Sequence, residues 1–123
     1  MVHEGLDDRR LVELLNIARR FRLPDGTGVI LGRDATENAA LVQAHAPTDT
    51  LLAPVSVPGP TALVPKVCTP EGLDQAARLV CAWSRFDNFS GDIRVKVVSG
   101  ATTTERPIPR PYSRDAFLPF QLT

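Results

Sequence analysis

The chain has 123 residues, 43% of them hydrophobic and 23% charged, a composition that suits one globular domain and excludes wholesale disorder. Fourteen basic residues balance fourteen acidic ones, so no global positive field advertises nucleic acid, although a local patch is compatible with that balance. No apolar run approaches the ~20 residues needed to span a bilayer, and residues 1–10 lack a signal-peptide core, so a cytoplasmic protein without a membrane partner is expected.

Asp7 and Asp8 precede Leu11, Leu14, Leu15 and Ala18 at helical spacing, which predicts a helix over residues 8–19. Its arginine-rich end offers cations to a phosphate, although a solvated helix terminus is the ordinary outcome. Phe21-Arg22-Leu23, a Pro24-Asp25-Gly26 turn and Val29-Ile30-Leu31 read as a β-hairpin. Gly32 ends that second strand, and Asp34 or Thr36 supplies a cap oxygen for a helix over residues 36–44. This leaves Arg33 and Asn38 at a strand-to-helix corner, available to whatever binds there.

Residues 51–67 alternate short apolar runs with Pro54, Pro58, Pro60 and Pro65, which predicts edge strands or short strands around the Pro58-Gly59 turn. Thr69, Pro70 and Glu71 form a helix start, with Leu73, Ala76, Ala77, Val80, Trp83 and Ser84 on its inner face. Trp83 is expected in the core. Ile93, Val95 and Val97 alternate with Arg94 and Lys96, a half-buried strand with a basic outer face. Pro107, Pro109 and Pro111 then favour an extended, polyproline-like segment. The apolar Phe117-Leu118-Pro119-Phe120 is suited to dock on the body or on a partner.

These elements define an α+β fold, a mainly antiparallel sheet with about three helices in a single domain. Its core spans about residues 20–98, with residues 99–123 as a proline-rich basic extension. Cys68 and Cys81 have no metal-ligand spacing, and with His3 and His45 they assemble no persuasive zinc set. Two small, mostly buried thiols are expected, with no metal and no cofactor.

Leu31-Gly32-Arg33-Asp34-Ala35-Thr36-Glu37-Asn38-Ala39-Ala40-Leu41 resembles the strand, Gly-Arg and Glu-Asn segment of the NFACT-R family, the RNA-binding domain of ribosome quality-control proteins. Weaker likenesses follow in the same order. Pro47-Thr48-Asp49-Thr50-Leu51-Leu52 is similar to a Pro-Gly-Asp strand start, and Pro58-Gly59-Pro60-Thr61 to a Pro-Gly-Ser-His turn. Ala76 through Ser84 is similar to the alanine-rich helix, and Ile93 through Val97 to the basic strand after it. The resemblance covers residues 21–98 and implies an α+β fold that binds tRNA or ribosomal RNA. It departs from the family where Leu51 and Ala53 replace a Trp and a His, and where Pro60-Thr61 replaces Ser-His. Two imidazoles and an aromatic suited to phosphates and bases are thus missing.

On this reading Arg33, Arg94 and Lys96 contact phosphate, and Asn38 meets a base edge or holds the corner rigid. Gly32, Asp49, Pro58 and Gly59 shape corners and turns. The plainer reading pairs Arg33 with Asp34, Glu37 or Asp49, gives Asn38 a local backbone bond, and leaves Arg94 and Lys96 on a solvated face. The alternative function is a structural or protein-interaction module that keeps the fold without RNA, using the tail as a contact surface or homodimer seam. An enzyme is not expected. A nucleophile–base pair would need His3 or His45 beside Ser84, Cys68 or Cys81, and Gly26-Thr27-Gly28 lacks the lysine of a phosphate loop.

Overall fold

A computed structural model describes residues 18–66 and 68–122. The hairpin comes first: strand β1 (Arg19–Arg22) pairs antiparallel with β2 (Gly28–Leu31), from Arg19 opposite Leu31 to Arg22 opposite Gly28. Its turn closes with the Leu23 amide on the Thr27 carbonyl at 2.8 Å, and Gly26 sits at φ +90°, where a side chain would be strained. The helix predicted over residues 8–19 lies outside the described residues apart from its last two positions. There the structure corrects it, because Arg19 opens β1. Residues 19–22 follow a two-residue period that buries Phe21 and leaves Arg22 exposed.

Helix α1 (Ala35–Ala44) follows, then the short strands β3 (Thr50–Pro54) and β4 (Ala62–Val64), then helix α2 (Pro70–Ala82). Asp34 caps α1 by accepting the Glu37 amide at 2.9 Å, and Thr69 caps α2 by accepting the Gly72 amide at 3.1 Å. Strands β5 (Ile93–Ser99) and β6 (Thr102–Ile108) complete a six-stranded antiparallel sheet in the order β1-β2-β4-β3-β5-β6. The fold is therefore α+β, with two helices among the described residues where about three were expected.

Alternation along the strands supplies both faces of this sheet. Val29, Leu31, Leu52, Val64, Ile93, Val95 and Val97 pack on the side of α2, with its Ala76, Ala77, Leu79 and Val80. Ile30, Leu51 and Leu63 point the other way and meet Leu41 and Ala44 of α1. Burial pushes the Cys81 thiol up to about 12, so it behaves as a core apolar group.

Two proline readings need refinement. β3 and β4 are short, but they are central rather than edge strands, because Pro54 closes β3 and Pro65 lies just past β4. The polyproline-like segment begins inside an edge strand, β6. Arg94 turns its amide to Ser56 Oγ and its carbonyl to the Val55 amide, so Pro107 opposite it faces away from β5 and no ladder bond is lost.

Residues beyond 98, expected as an extension, contribute this sixth strand and more. Tyr112 accepts the Ile93 amide and donates to the Ile108 carbonyl, clasping the end of the β5–β6 pair. Burial raises its phenol above the usual range. Phe117 enters the core, and the Leu122 amide reaches the Arg20 carbonyl at 2.6 Å. The apolar tail docks on its own body, against β1.

A candidate nucleic-acid interface

The site begins at the corner after β2. The Gly32 amide donates to the Thr61 carbonyl at 3.0 Å, and Asn38 Oδ1 accepts the Thr61 amide at 3.0 Å. A Cβ on Gly32 would overlap the Asn38 amide group, so this position needs glycine to bring strand and helix together. Of the two readings of Asn38 that involve its own chain, a local backbone bond is not the one made: its partner lies 23 residues away, across the corner. Asn38→Ala is expected to lower stability by about 1–3 kcal/mol, since the buried Thr61 amide would lose its acceptor; urea unfolding checks this.

Arg33 pairs with Glu37, one of the three acids expected for it. Its Nε lies 3.1 Å and its Nη2 2.7 Å from Oε2, while its own amide donates to Oε1 at 2.7 Å. Glu37 is buried and Arg33 is not: their side chains are 6% and 47% exposed. Glu37 therefore anchors a guanidinium that still reaches solvent. The Arg33 bonds hold its carboxyl below the usual carboxylate range, with burial opposing them. A depressed folded pKa gives stability that is complete above the unfolded value near 4.5 and is lost as pH falls through the folded one. Glu37→Gln should flatten that acid limb of a stability–pH profile. An unchanged slope below pH 4.5 would contradict it.

Across from this corner, the Pro58-Gly59 turn packs on the end of α2. The Arg85 amide donates to the Pro58 carbonyl at 2.8 Å, and a Cβ on Gly59 would strike Ser84 and come within 2.8 Å of Pro54 Cγ. Ser84 donates to the Val80 carbonyl at 2.7 Å. Trp83, 9% exposed, meets Phe21 edge-on with ring centroids 5.3 Å apart, as its core assignment requires. Arg114 from the tail lies 5.4 Å over the Trp83 ring and donates to the Ala82 carbonyl at 3.2 Å, placing a cation at the C-terminus of α2.

Together these pieces enclose an open cleft of about 440 Å³. Arg19, Arg33, Arg85 and Arg114 line it with Asn38 and Trp83, and Gly32, Pro58 and Gly59 shape its walls. Among the described residues, no acid belongs to its lining. Desolvation lowers the Arg19 pKa, and the neighbouring Arg114 and Arg33 charges lower it further, with Glu37 opposing. The Arg114 and Arg33 charges thus lie near enough to Arg19 to disfavour its charged form.

Sequence reasoning put Arg33, Asn38 and Gly32 at the strand-to-helix corner and Pro58 and Gly59 in a turn, without joining the two. It did not bring in Arg85, and it put Arg19 on a helix and Arg114 in the basic extension. Arg94 and Lys96 do not line the cleft. They are exposed on β5, three sheet positions from β2 or roughly 14 Å by strand spacing. Arg94 pairs with Glu105 at 3.3 Å, and Lys96 stands opposite the same acid. Asp49 is buried at the far end of β3 from the cleft, where it accepts the Ala46 amide at 2.9 Å.

The described residues thus form an α+β domain with an arginine-lined cleft, a geometry whose charge suits anionic ligands. The NFACT protein RNA binding domain family matches residues 18–114, and the chain belongs to that family. Among solved structures, the C-terminal part of the fibronectin/fibrinogen-binding protein from Streptococcus suis is similar, with a TM-score of 0.67 over 85% of this chain. Identity is 14%, so the likeness concerns the fold, and the match spans 50% of that chain. No curated protein matches.

Proposed function

We propose that this domain binds RNA through the arginine cleft, with tRNA or ribosomal RNA in a ribosome quality-control setting as its target. One observation carries the reading: four arginines converge on a cleft with no acid among its described lining, in a chain of the NFACT RNA-binding family. Arg19, Arg33, Arg85 and Arg114 contact phosphate, Asn38 offers its amide nitrogen, and Arg114, held over the Trp83 ring, meets a base with its guanidinium. Arg94 and Lys96 act as outlying phosphate contacts on β5. The protein works in the cytoplasm, as a binding module rather than an enzyme.

The missing Trp and His positions shape this reading. Leu51 is buried under α1 and Ala53 lies beside it on the same face of β3, so the strand has no side chain there to stack on bases. Binding then rests on charge in the cleft. Fluorescence anisotropy with labelled tRNA at two salt concentrations tests it. Affinity that falls steeply with salt supports the reading, and Lys96→Ala should weaken binding less than a change in the cleft. No binding at low salt would end it. The alternative would then stand, a structural or interaction module whose protein partner or second copy meets the tail through Leu118 and Leu122, both about half exposed.

A further inference from the structure

The charge in the cleft exceeds what one point on an RNA backbone requires. Four guanidinium groups line it, and Glu37, the carboxylate bonded to this group among the described residues, is already committed to Arg33. Among the described residues the four arginines are set against Glu37 and against Asp34, whose charge also acts on Arg33, which leaves a surplus of two positive charges. An internal phosphodiester brings one negative charge. A phosphate monoester brings about −1.5 to −2 and three terminal oxygens.

The geometry points the same way. Arg114 is held by the Trp83 ring and the Ala82 carbonyl, and Arg33 by Glu37. Among the described residues, the Arg19 and Arg85 guanidinium groups and Asn38 Nδ2 have no hydrogen-bond partner. Two anchored cations and three unengaged donor groups thus meet in one recess. At about 440 Å³ it falls in the ~300–1,000 Å³ range of small-ligand sites, whereas duplex RNA is read over about 16 base pairs across successive grooves.

We propose that the cleft recognises a phosphate monoester, carried by the end of an RNA strand or by a free mononucleotide. The proposal rests on the RNA reading above and sharpens it, because it makes a terminal phosphate the preferred feature of the ligand. The dianion bridges Arg19, Arg33 and Arg85, and the attached base lies against the Arg114 guanidinium.

The test compares one short single-stranded RNA in three forms, with a 5′-phosphate, a 3′-phosphate or hydroxyls at both ends, by anisotropy at fixed salt. One phosphorylated form should bind at least 10-fold more tightly than the hydroxyl form. In Arg85→Ala that ratio should fall towards one. This variant leaves the fold alone, because Arg85 is exposed and its bond to Pro58 comes from the backbone amide. Competition by adenosine 5′-monophosphate assigns the source: displacement of the phosphorylated RNA shows that the monoester suffices, and preference without displacement assigns the strand end. Equal, salt-sensitive affinity for all three forms would overturn end recognition while leaving RNA binding intact. Failure of every form and of the mononucleotide would remove both.

Discussion

Trp83→Ala should lower the free energy of unfolding by about 3–5 kcal/mol, the largest single-site loss expected in this domain. The ring is 9% exposed at the end of α2, packs edge-on against the fully buried Phe21, and carries Arg114 over it. Truncation opens a cavity between α2 and β1 and loses the aromatic pair, worth about 0.5–1.5 kcal/mol beyond its area. It also removes the surface on which Arg114 rests, so the cleft should weaken even in the fraction that stays folded. Trp83 is the one tryptophan of the chain, so circular dichroism in urea is the suitable probe. A loss under 1 kcal/mol would show that the ring is not the core element described.

Arg33→Ala should weaken RNA binding by roughly 10-fold or more and make the salt dependence shallower by about 0.7–0.9 for each phosphate left without its cation. The substitution also removes the partner of the buried Glu37 carboxylate, so some loss of stability should accompany it. Arg33→Lys separates the two effects. A lysine keeps the charge but cannot reproduce the fork that meets Glu37 through Nε and Nη2. It should restore the salt slope better than the affinity. Unchanged affinity in Arg33→Ala, measured where the variant remains folded, would take Arg33 out of the interface.

Both predictions depend on parts of the molecule that differ in how far they can be read from the chain. Local rules settled the elements. Asp34 and Thr69 sit at the caps, Gly26 makes the hairpin turn, and the apolar spacing of α2 matches the face it buries. The basic alternation of β5 likewise follows a two-residue period that a reader can count. The strand β6 was harder, because Thr102 to Glu105 are exposed and lack an apolar alternation, so its pairing comes from β5 rather than from its own side chains.

The cleft required more than periodicity. Gly32 and Asn38 stood together in the sequence, but their purpose lies in Thr61, which the sheet order delivers to them. Arg19, Arg33, Arg85 and Arg114 belong to β1, the β2 corner, the end of α2 and the tail. They meet because β1 and β2 form the sheet edge on which the tail folds back, and because the Pro58-Gly59 turn packs on α2. Hydrogen-bonding and packing preferences within a few residues determine where helices, strands and caps form. Which distant cations share a cleft is decided by strand order and by the paths of the connections, and no local pattern encodes either one.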